Sequence, residues 1–404
     1  MHESSQSRGA TPVFRPAAAA IAAVSELKPG RYPECSDRDL HHRVLQKFLR
    51  EWPISPRDID GLLVSPTGMA AGMSSNIFIH EHLGEDLGLQ PVFAETINAG
   101  GATHGLMIQR AALAVAAGRA QGVLCIAAGG FPKVRDGGAE ANARMACHPD
   151  FDFLYGPFIV PLYAQAATRH MHEFGTTEEQ LAKVAVTART WALKHPDALM
   201  RAHGPLSVED VLASRPIASP FKLLDCSVPC DGGAAVLVTT PALAQRLNPQ
   251  PAYVLGCGEA HTHANISQAR DLVRMGGAVA AEQAYRMAGL TPADVDLAEL
   301  YDSFSFNPVL NVENMGFVPR GHGGRFWDEG RGGPDGDLPI NTYGGLLSFG
   351  HTGDASGMSM LVEGALQVMG RAGERQVARA NVALVHSYGN IMSEHSVVLL
   401  GRQS

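Results

Sequence analysis

The chain has 404 residues, 45% hydrophobic and 18% charged, with a formal net charge of −8. That length supports a large core and two or three domains, and the acidic balance argues against nucleic acid as a partner, because phosphate binding calls for a basic surface. No apolar run reaches the roughly 18–20 residues of a membrane span, and the polar start "MHESSQSRGATPVFRP" lacks the apolar stretch of a secretory signal.

Residues 1–16 read as a loose tail. "AAAAIAAVSEL" (17–27) has the continuous apolar character of a buried strand. "SDRDLHHRVLQKFLREW" follows with helical spacing and Ser36 or Asp37 as its cap. "DIDGLLVSP" and "PVFAETI" read as short strands. The second leads into "INAGGATHGLMIQRAALAVAAG" (97–118), a glycine turn and an apolar helix stopped by Gly118. "QGVLCIAAGG" reads as a buried strand. From 131 to 220 the texture is more polar, with helical patterns such as "TEEQLAKVAVTARTWALKH", and reads as an insertion that caps a site. Strands resume at "GGAAVLVTT" and "PAYVLGCGEA". A helix over 278–288, a strand near 296–301, a glycine-rich loop over 318–337, a helix over 356–369 and strands near 382 and 396 complete the chain. The loop is expected to be flexible surface or a partner contact.

Two places nearly copy each other. "ISPRDIDGLLV" (54–64) and "LTPADVDLAEL" (290–300) align Pro56 with Pro292, Asp58 with Asp294 and Asp60 with Asp296. Further on, "INAGGATHGLMIQRAALAVAAG" is echoed by "INTYGGLLSFGHTGDASGMSMLVEGALQVMG" (340–370). Two matches in the same order imply a duplicated α/β unit. Alternating strands and helices imply mostly parallel sheets covered by helices. Helices apolar nearly all round, such as 102–117 and 356–369, belong between two sheets.

The motifs "INTYGGLLSFGHTGDASG", "LYDSFSFNPVLNVENMGF", "VLASRPIASPFKLLDCSVPCDGGAAVLVTT" and "HSYGNIMSEHSVVLLG" resemble the thiolase superfamily, in particular sterol-carrier-type thiolases and thiolase-like steroid side-chain aldolases. The resemblance implies an α/β thiolase fold, with duplicated halves in five layers (α-β-α-β-α) and an inserted loop domain. The halves fall at 17–130 with 221–250 and at 251–404, with the loop domain at 131–220. It also implies acyl-CoA substrates, with coenzyme A as part of the substrate and no separate cofactor. A homodimeric core and a small zinc-ribbon/OB-fold partner subunit are implied as well.

Where the family carries its nucleophilic Cys, this chain has Gly101 and Ala102. The Asn-Glu-Ala-Phe motif becomes "YDSF", with Tyr301 and Asp302 at the first two places, and the Gly-His motif survives as Gly350-His351. His386 stands in the region of the family's second Cys. Without a thiol there is no covalent acyl-enzyme. Thr103 is the nearest hydroxyl, but it needs an adjacent base, and Cys125 lies in a buried strand. Retro-aldol cleavage beside a thioester requires only a base and donors for the enolate. We assign His351 as base and Tyr301 as donor or relay, with Asp302 and His386 as further catalytic candidates. Gly101, Ala102, His104, Tyr343 and Gly389 are the substrate-binding candidates, with Tyr388 in reserve.

Cys226 and Cys230 with His261 and His263 do not form a standard zinc pattern, so no metal is assigned. The six scattered cysteines read as free thiols in a reducing, cytoplasmic compartment. Three functions follow. The first is an aldolase acting on a β-hydroxyacyl-CoA. The others are an acyltransferase or β-ketothiolase active only in a complex, and a silent subunit that binds acyl-CoA or lipid.

Overall fold

The repeated turn sequences form the same local structure. At Ser55–Asp58 and at Thr291–Asp294 the backbone N–H of the first residue donates to the Asp carboxylate, at 2.9 and 2.7 Å, closing a short turn opened by proline. Two residues on, Asp60 accepts from the N–H groups of Gln121 and Gly122, and Asp296 from those of Asn381 and Val382. Each aspartate thus ties the start of its own strand to the start of the next. The duplication seen in the letters is a duplicated hydrogen-bond device.

The structure is a computed structural model describing residues 15–66, 78–130, 140, 143–144, 146–155 and 158–402. Most of the tail expected over 1–16 lies outside the described residues. In chain order the first half holds β1 (Ala20–Glu26), α1 (Asp37–Glu51), β2 (Gly61–Val64), α2 (Ile79–Asp86), β3 (Phe93–Thr96), α3 (Thr103–Ala116) and β4 (Gly122–Gly129). Next come α4 (Ile159–Phe174), α5 (Glu178–Ala192), α6 (Val208–Ala213) and a hairpin of β5 (Pro216–Ala218) and β6 (Phe221–Lys222). The chain returns through β7 (Gly232–Thr239) and α7 (Pro241–Leu247). The second half holds β8 (Ala252–His261), α8 (Gly277–Ala288), β9 (Leu297–Leu300), α9 (Phe306–Asn314), α10 (Gly323–Asp328) and α11 (Gly345–Ser348). It ends with α12 (Ser356–Met369), β10 (Val382–Gly389) and β11 (Glu394–Gly401).

The strands hydrogen-bond in the order β3-β2-β4-β7-β1-β8-β11-β10-β9, and an isolated parallel bridge of Ala298 with Ile340 stands beside β9 as β3 stands beside β2. The two halves are mirror lists, joined where Ala20 and Ile21 pair with Tyr253 and Ala252. The pairing is less parallel than expected. β2 with β3, β2 with β4, and β9 with β10 are parallel, while the strands in the middle run antiparallel. The cause in the second half is local: β11 follows β10 through a tight turn, and a tight turn can only reverse direction.

α1 packs on β1, β4 and β7, and α8 on β8 and β11, as outer layers. α3 and α12 touch each other and strands of both halves, so they form the middle of five layers. Every described side chain of α12 except Leu366 is buried, as its all-round apolar sequence requires. The glycine-rich stretch over 318–337 differs from its expectation. It contains α10, with Phe326 and Trp327 buried. A Cβ on Gly323 would strike the Val309 carbonyl of α9, and one on Gly324 the Gln180 side chain of α5, so these glycines permit close packing.

Candidate active site

Tyr301 leaves the end of β9 and His351 follows Gly350 on the loop before α12. Both are 6% exposed. The Tyr301 hydroxyl lies 3.2 Å from His351 Nε2 and 3.0 Å from the Oγ of Ser356, the first residue of α12. Backbone contacts fix the histidine: its N–H donates to the Val228 carbonyl at 2.7 Å, and its carbonyl accepts from Cys230 N–H at 2.9 Å. Gly350 has φ +143° and its ideal Cβ would stand 2.8 Å from Cys230 Sγ, so no other residue fits before this histidine.

Gly353 N–H donates to His351 Nδ1 at 3.2 Å, which leaves the proton of a neutral ring on Nε2. Burial pushes the His351 pKa down to about 4, so the ring is neutral near pH 7. Its Nε2–H points at the Tyr301 oxygen. In this state the histidine donates, which differs from its expected role as base.

Gly101 lies directly against the Tyr301 ring. An ideal Cβ there would stand 2.7 Å from two ring carbons of Tyr301 and against the Tyr388 carbonyl oxygen. The tyrosine ring occupies the place of a side chain at 101. Gly389 approaches the same turn so closely that a Cβ on it would strike the Ala99 carbonyl. Ala102 is buried in a small cluster with Ala99 and Leu106, and its carbonyl accepts from Ser396 Oγ. His104 is buried where α3 crosses α12 and packs against Gly357.

Other candidates fall outside this cluster. Asp302 accepts from Leu346 N–H at 2.7 Å and from Leu347 N–H at 3.4 Å, so it caps α11. Desolvation pushes its carboxyl up to about 8 against these bonds. His386 turns to the opposite face of β10. Its Nε2 meets His395 Nδ1 at 3.1 Å beside Gly277 of α8. Its carbonyl accepts from the Tyr301 N–H at 3.0 Å, but its ring is separated from that of Tyr301 by the ring of Tyr388. Tyr343 is 1% exposed and packs on Phe349, and its hydroxyl has no hydrogen-bond partner among the described residues, which places it in the interior.

The structure adds residues that sequence reasoning did not assign, Ser356 among them, and brings in Tyr388, held there only in reserve. The Tyr388 ring lies 4.8 Å from that of Tyr301, and its hydroxyl lies 3.3 Å from Ser303 Oγ. Tyr163 of α4 packs tilted against Phe304 and donates to the Asn390 carbonyl at 2.7 Å. Cys226 faces the Lys222 carbonyl and His263 the Ile391 carbonyl. Among the described residues no group of three or more His, Cys, Asp or Glu side chains could hold a metal ion.

Residues 258–402 match a family described as "Thiolase C-terminal domain-like". An acetyl-CoA acetyltransferase of Methanothermobacter thermautotrophicus is 34% identical over 392 residues, 95% of this chain and 99% of that protein. A steroid side-chain-cleaving aldolase of Thermomonospora curvata is 32% identical over 362 residues, 86% of this chain and 90% of that protein. Among solved structures, the Ltp2-ChsH2(DUF35) aldolase superposes with a TM-score of 0.83 at 29% identity, covering 96% of this chain and 99% of the other.

Proposed function

Because the chain belongs to the thiolase superfamily, yet has Gly101 and Ala102 where the resemblance places the nucleophilic thiol, we propose that it breaks or makes a C–C bond beside a CoA thioester without a covalent acyl-enzyme. The observation that carries this reading is the Tyr301 hydroxyl, set between His351 Nε2 and Ser356 Oγ while its ring fills the space of a side chain at 101.

The substrate class is a β-hydroxyacyl-CoA. In the cleavage direction, Tyr301 as phenolate accepts the β-hydroxyl proton. The O–H electrons become the carbonyl of a released aldehyde or ketone. The Cα–Cβ pair passes to the thioester as an enolate, and a proton at Cα yields the shorter acyl-CoA. Backbone N–H groups of the turn at Gly101 and of Gly389 serve the enolate oxygen. The reverse sequence forms the bond.

An ordinary phenol near 10 costs about 4 kcal/mol to ionise at pH 7. Two donors aimed at the oxygen, His351 Nε2–H and Ser356 Oγ–H, contribute roughly 1.5–3 kcal/mol each. Burial of the phenolate adds to that cost, and both donors are assigned to hold the tyrosine oxygen against it. A partner subunit for the thioester is part of the proposal, supported by an aldolase neighbour whose name joins two components.

The intact Gly350-His351 pair and the acetyltransferase relative favour a second reading, acyl transfer with an unusual nucleophile. One experiment separates them. The purified chain is incubated with a β-hydroxyacyl-CoA, carbonyl product is measured, and intact mass is recorded during turnover. Carbonyl product without an adduct supports cleavage. A stable acyl adduct supports transfer and removes our reading.

A further inference from the structure

Among the described residues two arginines are deeply buried, Arg189 at 4% exposure and Arg375 at 7%. Arg375 has a carboxylate partner, Glu363, at 2.9 Å. Arg189, in the last turn of α5, does not: among the described residues its contacts are Ser348 Oγ, 3.3 Å from Nε, and the Gly204 carbonyl, 3.1 Å from Nη1. Burial alone lowers its pKa, with no acidic neighbour opposing. A guanidinium has five N–H donors and keeps its charge, and burying that charge without a counter-ion is costly.

The arginine lines a cavity of about 230 Å³, whose other walls include Ala185, Leu206, Leu224, Cys226 and Leu347. Apolar walls do not suit a bare, strongly hydrated inorganic anion. They suit a carbon body that carries its charge at one end. The volume exceeds the roughly 150 Å³ of a cavity that takes benzene. The wall at Ser227–Pro229 and Leu347–Ser348 is continuous with the segments that hold His351, since Val228 accepts the His351 N–H.

We propose that this cavity is a binding site for a small organic carboxylate, the Arg189 guanidinium taking the carboxylate and the apolar walls its carbon body. The carboxylate comes either from a free acid or from the far end of an acyl group on a thioester. The site stands independently of the proposed cleavage, because its readout is binding rather than turnover.

The probe is benzoate, titrated calorimetrically into the full chain, with neutral benzamide as control. Benzoate is expected to bind at one site and benzamide not. Arg189→Met should weaken benzoate about tenfold or more, the loss expected for one charged hydrogen bond. Ala185→Phe, which keeps the arginine and fills the cavity, should weaken it similarly. An arginine that only ties Gly204 to Ser348 predicts no benzoate binding at all, and that result overturns the proposal. Equal binding by wild type and both variants overturns it too. Displacement of benzoate by a thioester with a terminal carboxylate, but not by its neutral analogue, identifies the acyl group as the source. Retention of benzoate against both identifies a free acid.

Discussion

The Tyr301 hydroxyl faces Nε2 of His351 across 3.2 Å, and the Gly353 N–H on the far side of the imidazole orients that nitrogen as the donor. In the proposed cleavage the pair acts as one unit, with the tyrosine oxygen at its reactive end. Tyr301→Phe keeps the ring and its packing on Tyr388 and removes only that oxygen. Carbonyl release should fall about 10²–10⁴-fold, the usual range for a lost acid–base group. The melting temperature should move by a few degrees at most. A variant of undiminished rate would take Tyr301 out of the chemistry.

Gly101→Cys should not recreate a thiol enzyme. The new Cβ meets the Tyr301 ring at 2.7 Å, so overpacking should cost about 1–3 kcal/mol in urea unfolding. No acyl adduct should form. Combining Gly101→Cys with Tyr301→Asn removes the ring but leaves the closer contact with the Tyr388 carbonyl oxygen, so only part of the lost stability should return. If the single variant is as stable as wild type, the ring does not hold that space.

Stability should fall as the solution is taken from pH 6.5 to 8. In the fold Asp302 keeps its proton to about pH 8, whereas its ordinary value is 3.8. Between these values the folded chain binds more protons than the unfolded chain, so rising pH favours unfolding. Glu26, also pushed to about 8 but less deeply buried, adds in the same direction. His41, His351 and His395 act oppositely. Each is lowered to about 4 from 6.5, so each costs stability as pH drops through 6.5 towards 4 and nothing above that window. The expected slope from Asp302 is on the order of 1 kcal/mol per pH unit. Chemical denaturation at pH 6.5, 7.2 and 8 measures it, and Asp302→Asn should flatten it. A rise in stability over this range contradicts the assignment.

Asp60→Ala and Asp296→Ala should be matched lesions. Each removes a carboxylate that accepts two N–H groups at the start of a strand, and each should cost about 1–3 kcal/mol. Urea midpoints of the two variants test the equivalence. If one costs nothing, the repeat is not a shared structural device.

Much of this arrangement was legible because it is written in local chemistry. Pro and Asp at fixed offsets announce a turn, and all-round apolar helices announce a middle layer. The motif containing Gly350-His351 and the "YDSF" sequence pointed to two side chains that the fold brings within 3.2 Å of each other. What was not legible depends on distant contacts or on facing. Tyr163 reaches Asn390 across 227 residues, and Tyr388 reaches Ser303 across 85. His386 was within reach of a closer reading. Strand side chains alternate, and its neighbours Val385 and Ser387 face α12 and α3, which sends His386 to the outer side. The glycine-rich stretch misled because glycines that allow close packing look, as letters, like glycines that allow motion.

The fold doubling has an electrical consequence. α3 and α12 are equivalent helices of the two halves, and both begin at the Tyr301 ring, one beside Gly101 and the other at Ser356. Neither start is capped by a side chain. Each helix carries about half a positive elementary charge at that end. Two such ends converging beside the Tyr301 ring place nearly a full fixed positive charge there, supplied by the backbone itself and therefore the same at every pH.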